Sequence, residues 1–401
     1  MNYLIIGNGV AGTEAAANIR KMDGEGKITI VTKEAYPFYS RIRLIDFLSE
    51  GVDEKGLAIK NDGWYEENKI ELILNAEVTD IDYEKKAVIL SSGRRMRFDR
   101  LLLSMGSVCY VPPIPGVEKP GVFTLRTLKD AIAIREYART NRRLLLIGGG
   151  VLGLEAGNAL RKTGSSVTVV EYFPRLLPRQ MDNEGAAMLR AQMEAMGFKF
   201  HLGVKSKEIL GDGHAGALML EDGRRIDCDM IIVSAGVRPD TACAGSLKLN
   251  VGKGIVVNDR METGLPDVYA AGDVAEHRGV CYGIWPAAQE QGKAAGINMA
   301  GGTAFYEGTV MSNRLKAAGI DLVSAGDIDP EGKSESIVSK DPVNYIYKKL
   351  VIKDNIIAGA ILLGDTKDRA KIIKTMEDKT DISPMRKGLE NWNLEALEGV
   401  R

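Results

Sequence analysis

No two of the four cysteines, Cys109, Cys228, Cys243 and Cys281, stand close enough in sequence to make CxxC or CxxxxC. That spacing gives no indication of a disulfide framework, a zinc knuckle or an iron–sulfur ligand set. What remains for these residues is the role of small buried hydrophobes. Histidine is scarcer still: His201, His214 and His277 are scattered, and none is assigned a role. No charge of one sign dominates, the formal net charge being −1, so neither nucleic acid nor an anionic membrane is expected as a partner. Long apolar runs are missing too, and the N-terminus enters a strand pattern directly, without a basic region and cleavage site. The chain is therefore expected to be cytoplasmic, with no signal peptide and no membrane span.

Glycine, by contrast, is abundant. It makes up 45 of 401 residues and falls at strand ends rather than in low-complexity runs, which suits an α/β protein with many tight turns. The pattern is sharpest at Leu144–Glu155 (LLLIGGGVLGLE), where an apolar run of strand length meets Gly148, Gly150 and Gly153 and passes into a helical pattern. The first glycine permits the turn, the second lets backbone approach a pyrophosphate, and the third lets the helix pack close to the strand. The phosphates then sit on N–H groups at the helix N-terminus. One GxGxxG alone is weak, but Tyr3–Gly12 (YLIIGNGVAG) supplies another with Gly7, Gly9 and Gly12. Two strand-anchored copies imply two dinucleotides, in a chain long enough for two or three domains.

Each turn then needs an acid that can hydrogen-bond ribose hydroxyls, about 20 residues on and after the next strand. Beyond the strand expected at Ile28–Val31 the nearest candidate is Glu34, with a solvated surface Glu as the alternative. Beyond Val167–Val170 it is Glu171, placed to accept both adenine-ribose hydroxyls and to repel a 2′-phosphate, so NADH is preferred to NADPH. Arg175 and Arg179 keep the phosphorylated nucleotide open. Tyr39–Leu44 (YSRIRL) adds Arg41 and Arg43, planar donors suited to pyrophosphate or flavin.

Helices are expected over Ala11–Met22, within Phe123–Asn141 with Thr127 as N-cap, and from the central turn to about Lys162. Val78–Ile81 and Ala87–Leu90 look like a β-meander, and the prolines at Pro112–Gly116 make a natural linker. Near the C-terminus, Leu315–Ala325, Tyr345–Ile352 and Ile356–Leu362 read as strands of a small antiparallel sheet, with a helix over Asp365–Asp378.

The order of glycine turn, strand, acid and YSRxRL resembles the two-dinucleotide flavoprotein reductases, of the pyridine nucleotide-disulfide oxidoreductase-like family. That resemblance implies an α/β chain with two Rossmann-like dinucleotide-binding domains of glutathione-reductase type, the second inserted in the first, plus a small C-terminal α+β domain. The FAD-binding domain would be 1–108 and 237–308, the NAD-binding domain 109–236, and the interface domain 309–401. By the same resemblance Arg41 lies along FAD, although Ile42 and Ile45 depart from the family's usual residues. Thr263–Asp273 (TGLPDVYAAGD) matches the strand whose small tip, including Gly272, presents Asp273 to the flavin ribitol. Tyr282–Ala295 matches the helix whose N-terminus faces the flavin pyrimidine; Trp285 borders the ring or fills the core. Glu155 reaches the nicotinamide side, or is simply an early-turn acid favoured by the helix dipole.

The run LKxAGIDLxSAGD from Leu315 looks most like NADH–rubredoxin reductases and the flavin portion of NAD(P)H–nitrite reductases. Where disulfide-reducing and peroxidase relatives carry cysteine, this chain has Asp46–Gly51 (DFLSEG), so a thiol relay is unsupported. The resemblance implies hydride transfer from NADH to FAD, then electrons to rubredoxin, a ferredoxin-like carrier or partner subunits, with no protein acid or base in the hydride step. Two alternatives stay open: a subunit of a larger electron-transfer complex, and a redox-sensing flavoprotein resembling apoptosis-inducing factor. A homodimer also stays open.

Overall fold

The computed structural model describes residues 1–309, 312–317 and 320–395. They divide into two compact units, the first made of Met1–Arg43, Val52–Cys109 and Val237–Thr309. Its centre is a five-stranded parallel sheet in the order Val268–Ala270, Arg100–Leu103, Asn2–Ile6, Lys27–Val31, Ile70–Ile73. These strands are short continuous apolar runs because both faces of the sheet are covered. Leu101, Leu102 and Leu103 are fully buried, as are Ile5 and Ile30. A separate antiparallel meander joins Val78–Asp82, Ala87–Leu90 and Arg95–Arg97.

One face of that sheet carries helix Val10–Met22, and helix Trp285–Met299 crosses this helix with almost no side chain between the backbones. A Cβ on Gly292 would lie 2.4 Å from Ala11 O, and one on Gly296 would lie 2.4 Å from Ala15 O. The alanine- and glycine-rich composition of both helices is thus a packing requirement. The chain leaves this unit after Cys109 and returns at Val237, and the strands flanking the excursion, Ser107–Cys109 and Val237–Pro239, pair antiparallel.

The second unit contains Leu44–Gly51, Tyr110–Gly236 and the chain from Val310 onward. Its parallel sheet runs Lys199–Leu202, Ser166–Glu171, Arg143–Ile147, Met230–Val233, Val122–Phe123, and its meander is Ser206–Leu210, Ala217–Leu220, Arg225–Asp227. The sequence repeat is therefore an architectural one: parallel sheet, glycine turn, helix and meander occur twice. Thr127 caps helix Leu128–Ala138, and Asp130 reciprocates to complete a capping box. The short helix Leu44–Leu48 packs in this unit, with the Arg135 guanidinium 3.8 Å from the centre of the buried Phe47 ring.

The C-terminal sheet is antiparallel, in the order Ser312–Ala317, Ile320–Gly326, Ile356–Leu363, Ile346–Lys353, Glu335–Asp341, with helix Arg369–Glu377 against it. Two expectations change here. Leu315–Ala325 is two strands rather than one, Ser312 pairing back on Ala325 and Ala317 on Ile320. Strand Glu335–Asp341 has no strand signature in the sequence because it is an edge strand with only Ile337 buried, leaving no apolar alternation.

Candidate functional site

The two glycine turns have the same stereochemistry. Gly7 and Gly148 both hold φ of +111°, and a Cβ would lie 2.2 Å from Ser104 O in one and 2.3 Å from Ser234 O in the other. At the third glycines a Cβ would lie 2.1 Å from Gly7 O for Gly12, and 2.9 Å from the Ser234 side chain for Gly153. The second glycines differ: nothing lies within 4 Å of a Cβ on Gly9, and the nearest atom to one on Gly150 is 3.9 Å away. The protein itself forces glycine at the first and third positions. At the second it leaves open space beside the helix N-terminus, which is the cradle a pyrophosphate needs.

Around the first turn the candidate residues form one connected set. The Tyr39 hydroxyl and the Arg41 guanidinium both donate to the Glu34 carboxylate. Two residues singled out for separate contacts are thus joined to one another, and a carboxylate bound this way retains lone pairs for ribose hydroxyls. Next to Tyr39, the buried Phe38 packs its ring 5.8 Å from that of Trp285, the first residue of helix Trp285–Met299. That helix reaches the tip of strand Val268–Ala270 through Gln291, whose Oε1 accepts the Gly272 N–H at 2.8 Å. Gly272 has φ +84°, and a Cβ there would lie 3.1 Å from Ala11 Cβ. Asp273 accepts a 2.8 Å hydrogen bond from the Ser107 hydroxyl. Gly272 therefore stands at the N-terminal end of the helix that the first turn opens.

Composition and spacing did not single out Asn8, Tyr65, Ser107 or Gln291. Asn8 Oδ1 accepts the Tyr65 hydroxyl at 2.9 Å, while its Nδ2 is buried with no hydrogen-bond partner among the described residues. An orphaned donor within the glycine turn is what a bound phosphate or ribose oxygen would satisfy. Gln291 carried the one readable signal, a polar residue amid alanine and glycine on a buried helix face; it is 1% exposed. Arg43 donates to Gly56 O at 2.7 Å and so ties a loop.

At the second turn Glu171 is buried, its Oε2 accepting the Gly149 N–H at 2.5 Å and its Oε1 the Phe173 N–H at 2.8 Å. The acid at the strand end thereby fixes the loop it serves. Glu155 lies half-buried in the second turn of helix Val151–Lys162, beyond the first-turn N–H groups that favour an acid most strongly. Arg175 is committed to its own loop, donating to Met181 O at 3.3 Å and to Pro178 O at 3.2 Å, whereas Arg179 is exposed.

The four cysteines form no disulfide. Burial pushes the Cys228 and Cys243 thiols up to about 12, which suppresses their thiolates at neutral pH. His277 is fully buried and sits 2.8 Å from Asp259, a structural pairing. Among the described residues no helix is long and apolar enough to cross a membrane.

Two family models match the chain. A family described as pyridine nucleotide-disulphide oxidoreductase matches residues 1–292, and the rubredoxin NAD+ reductase C-terminal domain matches residues 312–380. Nitrite reductase [NAD(P)H] of Bacillus subtilis (strain 168) is 37% identical over 386 residues, covering 96% of this chain and 48% of that protein. NADH-rubredoxin oxidoreductase of Clostridium acetobutylicum is 31% identical over 377 residues, covering 93% of this chain and 94% of that protein. The chain spans about half the length of the curated nitrite and nitrate reductase proteins it matches. Among solved structures, the covalent putidaredoxin reductase–putidaredoxin complex superposes with a TM-score of 0.89 at 25% identity, covering 99% of this chain and 98% of that one.

Proposed function

The chain belongs to the pyridine nucleotide-disulphide oxidoreductases, and from that premise we propose that it is an FAD-containing NADH oxidoreductase that passes electrons to a small carrier protein such as rubredoxin or a ferredoxin. The observation that carries this reading is the pair of stereochemically matching glycine turns, each crowded at its first and third glycine and open at its second. FAD, when bound, would supply the redox chemistry, accepting hydride from NADH and releasing electrons to the carrier.

The protein's contribution is holding and orienting. Gly7, Gly9 and Gly12 would seat the FAD pyrophosphate, with the Asn8 amide as a further donor. Glu34 and Arg41 would hold the ribose and pyrophosphate. Gly272 and Asp273 would approach the ribitol, kept in place by Gln291 and Ser107. Trp285 stands at the start of a fifteen-residue helix whose N-terminal dipole would favour negative charge on the reduced ring. Gly148, Gly150 and Gly153 would seat NADH, with Glu155 toward the nicotinamide and Glu171 at the adenine ribose. Because Arg175 is occupied by backbone carbonyls, a 2′-phosphate would meet the Glu171 carboxylate without that arginine to offset it. NADH is the expected donor. On this reading the protein works in the cytoplasm, with FAD-binding pieces 1–108 and 237–308 flanking an NAD-binding domain 109–236 in sequence, and a C-terminal interface domain 309–401 after them.

An acceptor screen with NADH and NADPH tests this reading, using rubredoxin, ferredoxin, oxygen and nitrite. Fast NADH-driven reduction of rubredoxin or ferredoxin supports it, and turnover with neither carrier contradicts it. A second reading, an electron-transfer portion of a larger complex, is favoured by the half-length match to nitrite reductases. It would appear as co-purification with iron–sulfur partners.

A further inference from the structure

The loop after Glu171 is tied down at both ends, and its far end is held by the C-terminal sheet. At the near end Gly149 gives both of its backbone polar groups to this segment. Its N–H goes to Glu171 Oε2 at 2.5 Å, and its C=O accepts the Leu177 N–H at 3.2 Å. A Cβ on Gly149 would lie 2.9 Å from the Leu176 side chain. Leu176, Leu177 and Met181 are fully buried. Leu177 holds φ +48°, a left-handed conformation that a leucine keeps only where its surroundings impose it.

At the far end, Met181 N–H donates to Leu177 O at 2.9 Å, and Asp182 caps helix Asn183–Ala195, its Oδ1 accepting Gly185 N–H at 2.9 Å. The other carboxylate oxygen is claimed by strand Ile346–Lys353. Tyr347 O–H donates to Asp182 Oδ2 at 2.6 Å and Lys349 Nζ at 3.0 Å. Lys349 is 3% exposed and also donates to Asp329 O at 3.0 Å. Gly185 is where the strand needs close approach, since a Cβ there would lie 2.9 Å from the Tyr347 ring. A lysine–aspartate pair this buried adds little over a well-packed apolar pair, but losing one partner leaves an uncompensated charge. What this pair does in the fold is tie strand Ile346–Lys353 to the N-cap of helix Asn183–Ala195.

We infer that Tyr347 and Lys349 are positioning residues for the pyridine nucleotide, holding the Gly149 peptide in register through Asp182 and the Leu177 loop. The inference rests on the reading that NADH binds the Gly148–Gly153 turn. Its substance is that the C-terminal sheet completes the nucleotide site. Gly149 is the residue between the crowded glycine and the open one, so its tilt sets where the next N–H points. A loop released from Asp182 would let that peptide turn, weakening NADH binding while leaving the flavin untouched.

The test uses the flavin-loaded protein with ferricyanide as acceptor, comparing the parent with Lys349→Met, Tyr347→Phe and a stability control, Ile357→Val, in the same sheet. Lys349→Met is expected to raise KM for NADH about tenfold, within the range of coupling through packed networks. Tyr347→Phe should give a smaller rise, with kcat and bound flavin unchanged in both. Ile357→Val should lower Tm and leave KM alone. If Lys349→Met and Tyr347→Phe only lower Tm, with the parent's KM, the inference is overturned. Should Lys349→Met fail to fold, Tyr347→Phe, which differs by one oxygen, decides it alone. A parent protein whose flavin NADH does not bleach overturns the binding reading itself, an outcome distinct from an unaltered KM.

Discussion

Gly148 and Gly150 stand two residues apart and should fail in different ways when replaced by alanine. A methyl on Gly148 would lie 2.3 Å from Ser234 O at φ +111°, and such backbone strain costs on the order of 1–3 kcal/mol. Gly148→Ala should therefore lower Tm as well as NADH affinity. At Gly150 the nearest atom is 3.9 Å from the added methyl, so Gly150→Ala should leave Tm nearly unchanged while raising KM for NADH. Thermal unfolding beside steady-state kinetics separates the two. Glu171→Gln should weaken NADH without gaining NADPH, because the Arg175 guanidinium is already engaged with Met181 and Pro178 carbonyls; relative kcat/KM for the two nucleotides checks it. At this scale the glycine triplets were readable because their constraint is local and steric. Asn8, Ser107 and Gln291 were not, since their value depends on which distant segments fold beside them.

Among the elements, helices Val10–Met22 and Trp285–Met299 cross with their backbones in close approach. Gly292→Val would drive a side chain into the Ala11 backbone, where a Cβ alone lies 2.4 Å from Ala11 O. Overpacking of this kind costs about 1–3 kcal/mol, and the misplaced helix would carry Gln291 away from Gly272. A fall in Tm with loss of bound FAD in gel filtration is the expected result. The parallel strand pair Ile255–Val257 and Ala275–His277 offers a pH test. Arg278 and His277 hold the Asp259 carboxyl down to about 2. A depressed carboxylate stabilises the fold above its ordinary range near ~3.9, and that contribution is lost as pH falls from there toward 2. Asp259→Asn should flatten stability across that window in acid-unfolding curves. Element boundaries were readable where strands are continuously apolar, as at Arg143–Ile147, and unreadable where an edge strand such as Glu335–Asp341 buries a single side chain.

For the whole chain, the sequence repeat maps onto two sheets of the same construction, each closed by its own glycine turn and meander. The glycine-turn part of that duplication was legible because both copies state it within a dozen residues, whereas the meander of the second unit was not. The tie between the loop after Glu171 and the C-terminal sheet was not, because Asp182 and Lys349 lie far apart in sequence and neither belongs to a motif. Electron transfer from NADH through FAD requires that the two turns hold different nucleotides in one path. Mixing the flavin-loaded protein anaerobically with NADH in a stopped-flow spectrometer measures this directly. Rapid, saturable bleaching of the oxidised flavin band by NADH, and much slower bleaching by NADPH, is the predicted result; a flavin band that stays oxidised with both nucleotides would contradict it.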